Sequence, residues 1–315
     1  MEEPQLLHAQ AAYILKCQLP SGAFRLSPKS DVINPYFTNL ALVPLVRLGE
    51  TAAVKRWMDW FVNHLTPQGF INDHRLSQGL ETDTGKADSE DSYVTTFFTL
   101  VREYMAVTGD TTCLKSLYPA LRQMFYALLT IQQADGLTWA KNSYRVKYLM
   151  DNCEVLRGLE DATALFTLAE DLDTATLSAE LAVKCRNGIL GMYDSRKKCF
   201  AMYDRVYPKW TKWYPDATSQ AFPILYDVVS PTDPRAQSLY QQITARFPRF
   251  DMFQTGDFYP WMSLGYCAYL MGDHQRAKRM LDMAATVYIY GPRLKYWLIH
   301  ETGWFMLTYM KVHGL

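Results

Sequence analysis

The sequence predicts an all-α fold, an (α/α)6 toroid of about twelve helices in six hairpins, built as a single domain over residues 1–315. Three observations carry that expectation. Apolar residues recur at helical spacing along nearly the whole chain, with Gly and Pro as punctuation and almost no strand signal. The helices alternate between amphipathic segments with charged faces and segments that are more apolar or small, as an outer and an inner ring require. Similar helix-ending phrases recur in Leu19-Pro20-Ser21-Gly22-Ala23-Phe24, Thr66-Pro67-Gln68-Gly69-Phe70-Ile71 and Gln133-Ala134-Asp135-Gly136-Leu137-Thr138. Helix-turn units returning at intervals of roughly 50 residues signal a repeat architecture. Six such units close naturally into a ring; an open α-solenoid is the alternative, and irregular loop lengths favour the ring.

The elements follow in order. Residues 5–17 form an outer helix through Leu6, Leu7, Ala11, Ile14 and Leu15. An apolar helix over 36–48 enters through Asn34-Pro35 and ends at Gly49. The amphipathic helix 51–65 carries Val54, Trp57, Met58, Phe61 and Leu65, with Trp57 and Trp60 read as packing. A polar loop, 71–90, is long enough to suggest function. Inner helices are then expected at 91–108, 152–170, 216–229, 257–272 and 300–312, and outer ones at 112–133, 174–193, 234–247 and 274–288. A short strand is expected at Cys199–Tyr203, and Tyr207–Pro215 is an aromatic loop. The run Lys141–Lys147 and Arg196-Lys197-Lys198 read as solvated surface.

Composition narrows the function classes. Lys+Arg and Asp+Glu are each 32, so nothing points to a polyanion, and nucleic acid is disfavoured as a partner. No apolar run reaches a membrane span. The start Met1-Glu2-Glu3-Pro4 is acidic and unlike a signal peptide. Six scattered cysteines without a C-x-x-C pair read as reduced and buried, which favours a cytosolic setting. Aromatic residues make up 14%, among them 21 Tyr and 8 Trp, and this surplus suits a groove that stacks on sugar rings.

In a toroid the inner helices all start on one face, so the residues at those starts converge. They are Tyr36 and Asn39; Asp88, Glu90, Asp91 and Tyr93; Asp151, Asn152 and Glu154; Tyr214, Asp216 and Gln220; Asp257, Tyr259 and Trp261; His300, Glu301 and Trp304. Any one acid here is satisfactorily read as a helix cap. Asp151 with Glu154 has the look of a capping box, and Glu301 that of a first-turn acid. Together they form a ring of carboxylates interleaved with aromatics. Trp210, Trp213 and Tyr214 read as a lid that stacks substrate rather than a plug. Acids and aromatics around a wet cleft suit glycoside cleavage, in which one carboxylic acid protonates the leaving oxygen and another carboxylate activates water or attacks the anomeric carbon. The six His lack metal-ligand spacing, and no phosphate-cradling loop or nucleophile elbow occurs, so no metal or cofactor is expected.

With its Gly-containing turns after outer helices, Asp88-Ser89-Glu90-Asp91-Ser92-Tyr93 and Tyr148-Leu149-Met150-Asp151-Asn152, the chain resembles the six-hairpin glycosidase superfamily over essentially its whole length. That resemblance implies a general acid near the middle inner helix and a base near the last, which by position are Asp151 and Glu301. Asp88 and Asp91 are then substrate-binding or alternative catalytic acids, and the partner is a carbohydrate. Glu301 stands in His-Glu-Thr-Gly-Trp, which matches no motif of the superfamily. Three rivals share the architecture. A sugar epimerase would use a histidine pair, here His74 and His300. A terpenoid cyclase-like protein is suggested by Asp88-Ser89-Glu90-Asp91, which looks like a D-x-D-D acid, and by Gln133–Trp139. A non-catalytic carbohydrate-binding protein would have the same groove and no productive carboxylate pair.

Overall fold

The computed structural model describes residues 3–315; Met1 and Glu2, half of the acidic start, lie outside the described residues. Twelve α-helices occur among those residues: α1 (Glu3–Leu15), α2 (Pro35–Arg47), α3 (Thr51–Asn63), α4 (Glu90–Thr108), α5 (Thr111–Leu129), α6 (Leu149–Leu168), α7 (Leu172–Gly191), α8 (Thr218–Leu225), α9 (Pro234–Arg246), α10 (Ser263–Leu270), α11 (His274–Ala284) and α12 (Ile299–His313). The even-numbered helices pack each on the next, and α12 packs back on α2, which closes the inner ring. Each hairpin puts an odd-numbered helix outside it. The expected toroid is therefore what the chain forms.

Small residues set the inner spacing. A Cβ at Gly158 of α6 would lie 2.4 Å from Thr95 Cβ of α4, and one at Gly303 of α12 would lie 2.8 Å from Ala41 Cα of α2. The repeated phrase also has a cause. Gly22, Gly69 and Gly136 all have left-handed φ, and a Cβ there would meet the backbone carbonyl of Arg56, Gln123 or Lys184 at 2.5, 2.9 and 2.2 Å. Each turn thus lies directly against the next outer helix, where only glycine fits.

Three helices of the second half are shorter than expected. Helix 216–229 is reduced to α8, preceded by a wider turn over Trp213–Ala217. Helix 257–272 begins only at Ser263, because Pro260 and a left-handed Trp261 (φ 52°) break the approach. Helix 274–288 stops at Ala284 and runs on as a wider turn, Ala285–Ile289. The long loop 71–90 contains a hairpin, β2 (His74–Ser77) with β3 (Leu80–Asp83), and β2 also pairs with β1 (Val32–Ile33). The strand expected at Cys199–Tyr203 is only Cys199–Phe200 (β5), paired with Tyr193–Asp194 (β4). All six cysteines are free and buried. No helix among the described residues is long and apolar enough to cross a membrane.

Candidate active site

The inner-helix N-termini surround a cavity of about 1320 Å³. Of the residues expected there, Tyr36, Asp88, Tyr93, Asp151, Tyr214, Asp257, Tyr259, Trp261, His300, Glu301 and Trp304 line it. Asp151 and Glu301, from α6 and α12, therefore share one cavity.

Asp151 sits in the first turn of α6, whose cap position, Tyr148, makes no side-chain capping bond. The capping-box reading fails on Glu154 as well, whose Oε1 accepts from Tyr36 Oη (2.6 Å) and Tyr226 Oη (3.1 Å) beneath the cavity floor. Burial first, and then the neighbouring Asp91 charge, holds the Asp151 carboxyl well above the usual carboxylate range. Ser89 Oγ lies 2.7 Å from Asp151 Oδ2 and 2.6 Å from Asp91 Oδ1. Asp91 is 0% exposed and also accepts from Thr138 Oγ1 (2.6 Å) and its neighbour's amide, Ser92 N (2.8 Å).

Glu301 has a different setting. It is 4% exposed, and its two oxygens accept from the backbone N–H groups of Trp261 (3.2 Å) and Met262 (2.8 Å). These bonds fix the carboxyl plane and leave each oxygen a second lone pair. They also hold Trp261, whose left-handed backbone costs roughly 1–2 kcal/mol. The Trp261 indole N–H donates to Asp257 Oδ2 (3.0 Å), and its ring stacks on Tyr214 with centroids 5.0 Å apart. Tyr214, 52% exposed, presents an aromatic face at the mouth. His300 stacks on Phe37 at 3.9 Å, with Nε2 3.6 Å from Glu301 Oε1.

The remaining expected residues stay out of the cavity. Asn39 is one turn inside α2 and fully buried; it accepts from the Trp57 indole (2.9 Å) and donates to Tyr93 O and Thr96 Oγ1. Glu90 faces a smaller adjoining chamber and accepts from Asn142 N. Asn152 accepts from Thr138 N (2.8 Å) and holds that loop to α6. Trp213 is no lid: it is buried and stacked on Phe250. Trp210 lies under the Arg246 guanidinium instead. Asp216 accepts from Thr211 N and Lys212 N, and Gln220 is bonded to both backbone groups of Phe200. In both cases a polar side chain near a helix start is spent on neighbouring backbone, a loop for Asp216 and β5 for Gln220.

Sequence reasoning missed Ser89, Phe37, Tyr148 and Lys141, which also line the cavity. Lys141, read as solvated surface, donates from Nζ to Ala87 O (2.7 Å). Ser89 was legible in principle as the residue before a helix start, but a cap serine and a site serine look alike in sequence. No group of three or more His, Cys, Asp or Glu among the described residues is arranged to hold a metal ion.

No protein-family model matches this chain, and no curated protein matches it by sequence. Solved structures do match in fold. A glycosidase variant in complex with glucose aligns with TM-score 0.74 at 14% identity, covering 99% of this chain and 97% of that one. A rhamnosidase from Klebsiella oxytoca with rhamnose bound aligns with TM-score 0.70 at 14% identity, over 100% of this chain and 65% of that one. The GH63 mannosylglycerate hydrolase from Thermus thermophilus, in complex with glucose, aligns with TM-score 0.65 at 11% identity, over 89% and 90%. The fold of this chain is that of the six-hairpin glycosidases.

Proposed function

We propose that this protein is a glycoside hydrolase in which Asp151 is the general acid and Glu301 the general base. The observation that carries the reading is that two carboxyls of one cavity have opposite surroundings. Asp151 is pushed toward its protonated form by burial and a like charge, whereas both Glu301 oxygens are acceptors for backbone N–H groups. Acid and base work in glycoside cleavage needs such a divided pair. Asp151 gives its proton to the glycosidic oxygen as the bond to the anomeric carbon breaks. Glu301 takes a proton from water, whose oxygen forms the new bond to that carbon. Solvent then returns the two carboxyls to their starting states. Tyr36, Tyr214, Trp261 and Trp304 supply aromatic surface for the sugar, and Asp88, Asp257 and His300 supply polar contacts in the same cavity.

The rival readings fare worse on particular residues. His74 is buried in the hairpin against Trp60 and His64, away from His300, so an epimerase's histidine pair is missing. Asp91, the last acid of the D-x-D-D-like run, is fully bonded to Ser89, Thr138 and Ser92, and four carboxylates line the cavity, which makes a poor container for a carbocation. The test is release of reducing sugar from a panel of oligosaccharides and aryl glycosides. Cleavage by the wild type that is lost in both Asp151→Asn and Glu301→Gln, with each variant still unfolding cooperatively, supports the assignment. Full activity in both variants removes it, and binding without cleavage favours a carbohydrate-binding protein.

A further inference from the structure

Two carboxyls and one hydroxyl form a chain in which the protons can be counted. Ser89 Oγ is within 2.6 Å of Asp91 Oδ1 and 2.7 Å of Asp151 Oδ2. A serine hydroxyl has one proton, and an ionised carboxylate can only accept. Both contacts are hydrogen bonds only when one of the two carboxyls is itself a donor. An O–O approach of this length without a proton between would set two lone pairs against each other.

Two further observations bear on where the proton sits. Ser89 occupies the cap position of α4 yet makes no capping bond. The first amides of that helix, Glu90 N and Asp91 N, are directed at Ala140 O (2.6 and 3.4 Å), so the hydroxyl is released from the helix. Asp91 has two donors besides Ser89, namely Thr138 Oγ1 on Oδ2 and Ser92 N on Oδ1, which suits an anion. Asp151 has no side-chain partner besides Ser89 among the hydrogen bonds of this site.

We propose that Ser89 is a positioning residue that couples the two acids: the Asp151 carboxylic acid donates to Ser89 Oγ, and the Ser89 hydroxyl donates to the Asp91 carboxylate. The pair then shares one proton, which waits on the acid that faces the cavity. The surroundings favour a single negative charge. Asp88, Glu154, Tyr148 and Tyr214 face Asp151, and Cys185 faces Asp91. Among the described residues the one Lys or Arg lining the cavity, Lys141, is engaged with Ala87 O. His300 and Glu301 face the same cavity from α12.

This inference rests on the hydrolase reading only for what the proton is used for; the bridge belongs to the resting protein. The test is therefore carbon NMR of full-length protein labelled at the aspartate carboxyl carbon, titrated from acid to alkaline pH. We expect an aspartate that stays protonated well above the ordinary aspartate range and whose signal is absent from Asp151→Asn; the Asp73 carboxyl, which burial also pushes up, is identified by its loss in Asp73→Asn. Ser89→Ala takes away the acceptor for that proton, and Asp91→Asn takes away the neighbouring charge. Each is expected to lower the midpoint by about a unit or more, while Ser89→Thr, which keeps a hydroxyl, holds it near wild type. The proposal is overturned when Asp73 accounts for every aspartate protonated above the ordinary range, when Asp151→Asn removes no such signal, or when Ser89→Ala leaves the midpoint of the Asp151-dependent signal in place. A protonated, Ser89-dependent Asp151 in a protein that cleaves no glycoside would retain the bridge and discard the hydrolase.

Discussion

Tyr36 Oη donates to Glu154 Oε1 across 2.6 Å, joining α2 to α6 under the floor of the cavity. Tyr226 donates to the same oxygen from the end of α8, so one buried carboxyl links three inner helices. Burial, then the charge of Asp151, holds Glu154 well above the usual carboxylate range. A neutral group of the same shape should serve nearly as well. Glu154→Gln is expected to change stability by less than about 1 kcal/mol, whereas Glu154→Ala, which strands two tyrosine hydroxyls beside a void, should cost about 2–4 kcal/mol. Urea denaturation of the two variants checks the difference. Equal losses would contradict a neutral carboxyl at this position.

The catalytic assignment makes a kinetic prediction. Asp151→Asn and Glu301→Gln should each lower kcat by about 10²–10⁴, the range of a general acid or base. For Asp151→Asn the loss should shrink with an activated aryl leaving group, which needs no proton. A loss in Asp151→Asn that is the same for both leaving groups would deny Asp151 the role of acid. Attack by water in one displacement also predicts a product of inverted anomeric configuration, visible by proton NMR before mutarotation.

Asp73 predicts a pH effect on folding. Its carboxyl is partly buried among Tyr93 Oη (2.9 Å) and Asn34 Nδ2 (2.9 Å), and burial pushes it up to about 6 despite those donors. The folded state binds this proton more tightly than the unfolded chain, whose Asp titrates near 3.8. The associated stability is fully present below that value and is lost as pH rises through about 6. Asp73→Asn should therefore gain on the wild type between about pH 4 and 7 by on the order of 1–2 kcal/mol, discounted for partial exposure. Chemical denaturation at a series of pH values checks this. A difference independent of pH would contradict it.

Gly158 and Gly191 predict opposite outcomes for one substitution. A Cβ on Gly158 would stand 2.7 Å from Thr95 Cα, and that backbone has to move. Gly158→Ala should cost about 1–3 kcal/mol by forcing α4 and α6 apart. At Gly191, at the end of α7, nothing lies within 4 Å, so alanine should be neutral or stabilise by up to about 1 kcal/mol. Thermal melting of both variants separates the cases.

The architecture was legible because it rests on periodicity. Helix period, alternation and the Gly22, Gly69 and Gly136 phrases all reflect contacts between neighbouring repeats. Local sequence was a poorer guide where a helix is shortened by geometry, as at Trp261, whose left-handed backbone depends on bonds to Glu301, 40 residues on. The cavity residues were legible as a set through their position at helix starts. Which of them turn inward was not. Asp216, Gln220 and Asn152 are polar side chains at the same kind of position and serve neighbouring backbone instead. Trp213 shows the same limit for aromatics, since nothing in its neighbours tells of Phe250 beneath it.

The closure of α12 onto α2 has a consequence for synthesis. Trp297 donates its indole N–H to Gln10 Oε1, and Tyr13 Oη donates to Trp297 O, so the seam joins segments separated by 287 and 284 positions. A nascent polypeptide emerging from the ribosome can stack its hairpins one after another, yet the flank of its first inner helix stays bare until the final one is released. Long-range closure of this kind is slow and leaves apolar surface exposed meanwhile. The last hairpin of the ring is thus the stopper for the first, and the unsealed ring is the species a chaperone would meet.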